Sequence, residues 1–370
     1  MTHQIGLEDL HALALGASIL GAGGGGDPYI GRMMAEKALR THGPVAVLDV
    51  GEVPEGSTVI AVSGVGAPTV LQEKIPSGRE PAAAVRRLAS HIGVQTFAVC
   101  AAEVGGVNSM VPLAAAAELG VPVVDADGMG RAFPGVYMET FHIYGHLGTP
   151  ACFANEHGDL VLLDRLRDNY AYEWLARGLT TRFGGHAFVA DYPMSGKDLR
   201  RVAIRGTLRL ALDIGRTLLA AQAGHADPVT AIGAAAERGG YGAGVRLFTG
   251  KVVDVRRRTT DGFARGAITI EGSGEGPGSA LRIDFQNENL LAVRGGTPLC
   301  MVPDLVCVLD AVNGLPIPTE RLRYGYRVTV LGIPAPPIMR TPEALKVWGP
   351  RAFGYDLDYS PLSHLRDGGI

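Results

Sequence analysis

The chain has 370 residues, of which 46% are hydrophobic and 19% charged, and its formal net charge is −3. This near-neutral balance excludes nucleic acid as a partner, because binding to phosphates needs a strongly basic surface. The start of the sequence lacks a secretory signal, and no apolar run of about 18 or more residues occurs, so we expect a cytoplasmic protein without a membrane partner. A chain of this length predicts two domains.

Helices and strands alternate along the first 164 residues. Apolar periodicity predicts a helix over residues 7–20, and Asp27 followed by Pro28 is a typical start for a second helix, which continues to residue 39. Apolar strands then alternate with further helices, which predicts an N-terminal α/β domain (residues 1–164) with a mainly parallel sheet. The strands are expected at 45–48, 58–62, 95–100, 121–124 and 160–163, and the helices at 82–91 and 110–119.

Between the first two helices lies a run of glycines, GAGGGG, at residues 21–26. A glycine loop before a helix N-terminus can expose N–H groups to an anion, so Gly23, Gly24 and Gly25 are candidates for binding a carboxylate or oxyanion of a small substrate. The run formally satisfies G-x-G-x-x-G, but a dinucleotide site requires a strand before the glycines, and residues 12–20 are typical of a helix. A plain tight turn remains the other alternative.

The central stretch, residues 99–134, carries the most polar groups at predicted strand ends. Glu103 and Asn108 follow one apolar strand, and Asp125 and Asp127 follow the next. Ligands of open α/β sheets bind at the carboxyl ends of strands, so we expect these four side chains to share one crevice. Arg131 follows directly and is expected either to pair with the aspartates or to bind an anionic group of the substrate. The alternative is structural: one aspartate caps the following turn while the other pairs with Arg131.

Two further groups of candidates lie outside this central stretch. Thr69 follows the strand at 58–62 and is a candidate substrate contact. His142 and His146 have the i, i+4 spacing of helical zinc ligands, but Gly145 and Gly148 make a stable helix doubtful there.

The second half of the chain, residues 165–370, predicts an α+β domain. Helices are expected at 169–183, 206–222 and 228–237, after which the pattern becomes strand-like. The β-rich module at about 245–332 is typical of a barrel or sandwich. Within it, Gln286-Asn287-Glu288-Asn289 interrupts an apolar strand pattern, which indicates a bulge or functional loop end, with a surface turn as the alternative.

Several segments together resemble the S-methyl-thiohydantoin desulfurase family. They span residue 7 to about residue 359 and are GAGGGGDPYIG, GAPTVLQEK, EVGGVNSMVPL, PVVDADGMGRAFP, FTGKVVDV, DFQNENL, VPDLVCVLD and LRYGYRV. The resemblance implies an N-terminal α/β domain and a C-terminal domain that contains the β-rich module. It also implies hydrolytic removal of sulfur from a five-membered thiohydantoin ring. The shared motifs contain Glu103, Asn108, Asp125, Asp127, Arg131, Asn287 and Glu288.

The chemistry expected of such a hydrolase starts with a carboxylate base, which we assign to Glu103 or Asp127, acting on water. Asn108 and glycine N–H groups would stabilise charge on the ring nitrogen, and Asn287 and Glu288 would contact the cyclic substrate. A metal is not obligatory; a divalent ion held by Asp125, Asp127 and a neighbouring His or Glu is the alternative. The competing functions are a nucleotide-dependent protein, either an oxidoreductase or an ATP-linked partner of a hydantoinase, and a non-catalytic ligand-binding subunit. A homo-oligomer is compatible with all of them.

Overall fold

The fold is described from a computed structural model of the chain, which describes residues 3–67, 70–260, 263–273 and 279–367. Thr69 lies outside these residues. Within them, no helix is both long enough and apolar enough to cross a membrane.

The N-terminal half contains the alternating elements that the sequence predicts. In chain order they are β1 (His3–Ile5), α1 (Leu10–Leu20), α2 (Pro28–His42), β2 (Val45–Leu48), β3 (Thr58–Gly66), α3 (Glu80–Ile92), β4 (Thr96–Ala101), α4 (Val111–Leu119), β5 (Val123–Val124), β6 (Ala126–Asp127), α5 (Thr140–Ile143), β7 (Ala151–Ala154) and β8 (Leu160–Leu163). Short 3-10 helices lie at Leu7–Asp9, Val50–Glu52 and Val70–Gln72.

The C-terminal half begins with helices and continues with strands. Its elements are α6 (Asn169–Arg182), β9 (His186–Ser195), α7 (Gly196–Val202), β10 (Ile204–Arg205), α8 (Thr207–Ala223), α9 (Pro228–Arg238), β11 (Val245–Thr260), β12 (Phe263–Gly272), β13 (Ala280–Gln286), β14 (Glu288–Arg294), β15 (Thr297–Met301), β16 (Leu305–Asp310), β17 (Arg327–Ile333), α10 (Pro342–Trp348) and α11 (Leu362–Asp367). Three 3-10 helices lie at Thr319–Arg321, Pro337–Arg340 and Pro350–Phe353.

The first sheet confirms the predicted α/β class. Among the described residues its strand order is β1-β2-β5-β4-β3-β9-β7-β8. The central strands β2, β5, β4 and β3 are parallel, and antiparallel strands extend the sheet on both sides. The parallel strands are apolar and almost wholly buried, as expected when helices cover both faces. Because β3 and β4 are parallel neighbours, the loops that leave their carboxyl ends lie side by side.

The second sheet confirms the predicted β-rich module. It is an antiparallel half-barrel with the order β15-β14-β13-β12-β11-β17-β16 over the described residues. The sequence did not predict that β9, from the second half of the chain, returns to the first sheet beside β3. Strand β9 follows residue 164 in the chain but belongs to the sheet of the N-terminal half. The domain boundary expected at residue 164 therefore stays a prediction.

The two halves are also joined by a close contact between α1 and α8. A Cβ atom on Gly16 would lie 1.7 Å from the carbonyl oxygen of Ala211, and one on Gly215 would lie 1.7 Å from that of Ala12. Only glycine permits two helix backbones to approach this closely. This contact fixes the glycine loop, which leaves the end of α1, against the C-terminal half.

Candidate active site

A cavity opens at the carboxyl ends of β3 and β4, where the α/β fold is expected to bind ligands. Its empty volume is about 660 Å³, including the open mouth. The glycine loop, the loops after β3 and β4, and the turn between β13 and β14 form its walls. Its polar lining includes Ser63, Glu103, Asn108, Glu139, His186 and Glu288.

Glu103 is buried and lines this cavity. Its Oε1 accepts a hydrogen bond of 2.6 Å from Nδ2 of Asn108, and its Oε2 accepts one of 3.2 Å from the Phe133 N–H. Burial raises the pKa of Glu103 to about 7, against the opposing effect of these two donors. A carboxyl group with a pKa near neutrality can exchange a proton with water under ordinary conditions, as a general base must.

Asn108 holds Glu103 in place. Its Oδ1 accepts a hydrogen bond of 2.7 Å from the Gly64 N–H at the end of β3. Because the amide oxygen is occupied in this way, the Nδ2 group is directed to Glu103 and, at 3.3 Å, to the carbonyl of Gly64. The side chain therefore connects the ends of β3 and β4 and fixes the orientation of the carboxyl group between them.

Asp127 lies behind the cavity and does not line it. Its Oδ2 accepts hydrogen bonds from the backbone N–H groups of Val104, Met129 and Gly130, at 2.8, 3.2 and 2.7 Å. Burial raises its pKa to about 7 in spite of these donors. Since Val104 follows Glu103 directly, Asp127 fixes the loop that carries Glu103.

The glycine loop packs against groups that leave no room for side chains. A Cβ atom on Gly24 would lie 2.1 Å from Oε1 of Glu288, and one on Gly25 would lie 2.6 Å from the Cα atom of Gly105. Gly25 and Gly26 line the cavity, and their N–H groups donate to no acceptor among the described residues. Gly23 and Gly24 lie behind them, against Asn289 and Glu288. The cavity wall thus contains two glycine N–H groups without an acceptor in the described chain.

One sequence interpretation of this loop is wrong, and the expectation that a helix precedes the loop is confirmed. The N-terminus of α2 is not open to an anion, because the side chain of Asp27 accepts the Tyr29 N–H at 3.0 Å and pairs with Arg321. The loop follows helix α1 and not a strand, so the geometry of a dinucleotide-binding turn is absent from this described segment.

The turn between β13 and β14 brings Asn287 and Glu288 to the cavity. Asn287 has a φ of +59°, and its Oδ1 accepts the Ala264 N–H at 2.9 Å. Glu288 is buried, and its Oε2 has no hydrogen-bond partner among the described residues. Burial, and then the charge of Glu103, raise the pKa of Glu288 well above its usual value. The polar interruption of the strand pattern is therefore a loop end beside the cavity.

Sequence reasoning missed three residues of this cavity. Glu139 lies in an irregular Gly- and Pro-rich stretch, and His186 begins β9, whose return to the first sheet was not predicted. Burial lowers the pKa of His186 to about 3, so its ring is neutral. Arg177, at the mouth, donates to Glu173 at 2.7 Å and to the carbonyl of Pro134 at 2.9 Å. The available signal for His186 was its position as a polar residue directly before the apolar run at residues 187–190.

Asp125 and Arg131 are not brought to the cavity. Asp125 accepts the Leu208 N–H at 2.9 Å near the start of α8 and pairs with Arg209 at 2.9 Å. Arg131 is fully buried and donates to the carbonyls of Asn289 and Asp304, at 2.8 and 2.9 Å. It pairs with neither aspartate and connects the two halves of the chain. Both expectations for Arg131 were therefore wrong, because nearby carbonyls occupy its guanidinium.

The residues proposed as metal ligands do not fit a metal ion. No three His, Cys, Asp or Glu side chains in the described part of the chain come together in a way that could hold one. Three backbone N–H groups donate to Oδ2 of Asp127, and Asp125 is engaged by α8 and Arg209. His142 and His146 are likewise engaged, with Asn169 and Arg201 respectively.

Comparison with known proteins gives matches over both halves of the chain. The family model described as S-Me-THD-like, N-terminal domain, matches residues 8–165, and the one described as S-Me-THD-like, C-terminal domain, matches residues 167–362. A crystal structure of a protein from Chromobacterium violaceum is 27% identical, with a TM-score of 0.81, and the alignment covers 97% of this chain and 100% of that chain. No curated protein matches the chain.

Proposed function

The chain belongs to the S-Me-THD-like family, and from that premise we propose that it hydrolyses a carbon–sulfur bond of a thiohydantoin or S-methyl-thiohydantoin ring. The products are a hydantoin and a thiol or sulfide. The observation that carries the proposal is the arrangement of one cavity, in which a carboxyl group with a pKa of about 7, Glu103, shares the walls with free N–H donors of Gly25 and Gly26.

Glu103 acts as the general base. Water attacks the ring carbon that bears sulfur and lies between the two nitrogens, and it becomes a competent nucleophile when Glu103 accepts one of its protons. The hydrogen bond from Asn108 orients the carboxylate, and a positioned base of this kind contributes on the order of 10²–10⁴ in rate. Asp127, the second candidate from the sequence, acts indirectly by fixing the loop of Glu103.

In an S-methyl-thiohydantoin, the ring carbon that bears sulfur is joined to one ring nitrogen by a C=N bond. When water attacks this carbon, the electron pair of the C=N bond moves to that nitrogen. The N–H groups of Gly25 and Gly26 are suited to stabilise that charge, because they are not committed to other acceptors in the described chain. A preorganised donor of this kind is worth about 10²–10³ in rate. Asn287 contacts the substrate from the other domain.

Glu288 is suited to act as an acid. Its environment favours a proton more strongly than that of Glu103, because Glu288 lacks the two donors that partly offset the burial of Glu103. Two carboxyl groups with different proton affinities in one cavity can divide the roles of base and acid. Glu288 gives its proton to the ring nitrogen as water adds and recovers a proton from the added hydroxyl when the C–S bond breaks.

The direct test is to incubate purified protein with S-methyl-thiohydantoins, thiohydantoins and the corresponding hydantoins, and to measure thiol or sulfide and the ring product. We expect one equivalent of sulfur product per hydantoin formed from the sulfur-containing rings, both with and without a chelator. Absence of sulfur release across the panel would contradict the proposal. Tight binding of a ring without turnover would favour a ligand-binding subunit, and a requirement for NADH or ATP would favour a nucleotide-dependent protein.

A further inference from the structure

We propose that Glu139, which sequence reasoning did not identify, protonates the departing sulfur and that the like charge of Asp191, buried in the first sheet, retains the proton on Glu139 until that step. This inference rests on the proposed hydrolysis and assigns it a second acid, separate from Glu288.

The position of Glu139 gives it access to the substrate. It lines the same cavity as Glu103, is only 1% exposed, and lies directly before α5. The following residue, Thr140, fixes the backbone here because its N–H donates to the carbonyl of Gly128 at 2.6 Å. A Cβ atom on Gly128 would lie 2.5 Å from Oε2 of Glu139, so the carboxyl group packs directly against this glycine. The loop is thus shaped to accommodate this side chain.

No group in the described chain satisfies this carboxyl oxygen. Oε2 of Glu139 is buried and has no hydrogen-bond partner. A buried carboxylate oxygen without a donor costs free energy, whereas a protonated carboxyl group loses much less when it leaves water. The geometry therefore favours a carboxylic acid that keeps its proton for a group entering the cavity.

Asp191 lies on β9, two strands from β4, and the N–H of Gly128, the residue that fixes the Glu139 segment, donates to the carbonyl of Ala102 just after β4 at 2.9 Å. In the sheet, Ala61 of β3 lies between Asp191 on β9 and Cys100 on β4. Oδ2 of Asp191 accepts a hydrogen bond of 2.7 Å from the hydroxyl of Tyr172, while Oδ1 has no partner among the described residues. Asp191 is 1% exposed, so bulk water does not reach it.

The charges around Glu139 all act in the same direction. Burial raises the pKa of Glu139 well above its usual value, and the like charges of Asp191 on β9, Asp127 on β6 and Glu103 after β4 each raise it further. Glu139 in turn raises the pKa values of Cys100, Tyr172 and Tyr192, none of which is a cation. Of the three carboxyl groups, Asp191 acts most strongly.

The proton balance of the reaction closes with this assignment. Water supplies the oxygen of the new ring carbonyl; one of its protons goes to Glu103, and the other replaces the proton that Glu288 gives to the ring nitrogen. When the C–S bond breaks, its electron pair leaves with sulfur, and Glu139 gives a proton to the thiolate. Glu103 then returns its proton to Glu139 through cavity water. The net reaction is the ring thioether plus water to hydantoin plus thiol, and both carboxyl groups end in their starting states.

The basicity of the leaving group tests this role. An alkyl thiolate needs a proton to leave readily, whereas an electron-poor aryl thiolate does not. We therefore expect Glu139→Gln to lower turnover of the S-methyl substrate by about 10²-fold or more, and that of an S-nitrophenyl substrate by less than about 10-fold. Turnover of the aryl substrate also demonstrates that the variant is folded. Equal losses on both substrates would overturn the role of Glu139. Unimpaired turnover of the alkyl substrate would do so as well.

The role of Asp191 is tested by the pH profile. Asp191→Asn removes the strongest like charge and should lower the pKa of Glu139, so the alkaline limb of S-methyl turnover should move to lower pH. Asp213→Asn, an exposed carboxyl on α8, is the control and should leave the limb unchanged. An unmoved limb in Asp191→Asn would overturn the role of Asp191.

A spectroscopic measurement separates failure of this inference from failure of the proposed hydrolysis. The infrared spectrum of wild-type protein near neutral pH should contain a protonated-carboxyl carbonyl band that is absent in Glu139→Gln, whether or not any ring is hydrolysed. If the band is unchanged in Glu139→Gln while thiol is still released, the inference fails and the proposed function stands. If wild type releases no sulfur product, the proposed function fails, and the proton-donor role fails with it.

Discussion

Nδ2 of Asn108 lies 2.6 Å from Oε1 of Glu103, and Oδ1 of the same Asn108 accepts the Gly64 N–H at 2.7 Å. The first contact stabilises the charged form of Glu103, and the second fixes which end of the amide faces it. The base and its orienting group thus come from the same loop after β4, and the end of the neighbouring parallel strand β3 fixes the orienting group.

Replacement of Asn108 should move the pH dependence of the reaction. The donor in Asn108 lowers the pKa of Glu103, so Asn108→Ala should raise it. Because Glu103 must be deprotonated to accept a proton, the acid limb of the pH–rate profile should move to higher pH, and the maximal rate should fall by about 10-fold or more. If the acid limb of the pH–rate profile lay at the same pH in Asn108→Ala as in the wild type, the assigned role of Glu103 would be contradicted.

Asp127→Asn distinguishes between the two candidate bases. If Glu103 is the base, the variant should still turn over, and loss of the like charge should lower the pKa of Glu103 and move the acid limb to lower pH. If Asp127 is the base, turnover should fall as far as in Glu103→Gln. Asp127→Ala should instead be destabilised by at least about 2 kcal/mol, because three buried backbone N–H groups lose their acceptor. Urea denaturation measures the free energies of unfolding of Asp127→Asn and Asp127→Ala for this comparison.

The close approach of Gly24 to Glu288 predicts that even a methyl group is not tolerated there. Gly24→Ala should force Glu288 away from its position, with a loss of about 1–3 kcal/mol in stability and reduced turnover. Gly51→Ala is the matched control, since a Cβ atom there would have no neighbour within 4 Å, and its φ is not in the left-handed region. Equal stability and turnover of the two variants would show that the loop does not constrain Glu288.

The buried carboxyl groups predict an unusual dependence of stability on pH. Glu103, Asp127, Asp191, Glu139 and Glu288 have raised pKa values, the first three about 7, so the folded protein retains protons that the unfolded chain has lost. Their stabilising effect is complete below the unfolded values of about 4 and is lost as pH rises through about 7.

Three histidines act in the opposite direction. His186, His142 and His146 have lowered pKa values, so the unfolded chain binds protons that they exclude, and stability falls as pH drops below their unfolded value. The five carboxyl groups outnumber these three histidines among the described residues. The free energy of unfolding should therefore decrease from about pH 5 to about pH 8, and the decrease should be smaller in Glu139→Gln. An increase over this range would contradict the raised pKa values.

Much of the fold could be predicted from local sequence. Asp27 with Pro28, and Asp227 with Pro228, marked helix starts that the structure confirms. Apolar runs located the strands of the parallel centre, because strands buried on both faces are apolar throughout. Strand β9 could not be assigned to the first sheet, since its partner β3 is more than a hundred residues away and pairing at such distance leaves no local pattern.

The site could be predicted only in part, for a related reason. Strand ends indicated the region of Glu103 and Asn108, but they could not show that Asp127 is directed to the Val104, Met129 and Gly130 amides behind the cavity. Nor could the sequence show that Arg131 would bind carbonyls from the other half of the chain. Glu139 was missed because its loop has no periodicity, and its importance depends on burial beside Asp191, which is a property of the tertiary structure.

Thiol release from an S-methyl-thiohydantoin by wild type, Glu103→Gln and Glu237→Gln tests the central claim most directly. Glu237 is an exposed carboxyl on α9 and serves as the matched control. We expect wild type and Glu237→Gln to release thiol at equal rates, and Glu103→Gln to be slower by about 10²–10⁴ with an unchanged melting temperature. If a folded Glu103→Gln protein released thiol at the wild-type rate, the claim that Glu103 is the general base would be contradicted.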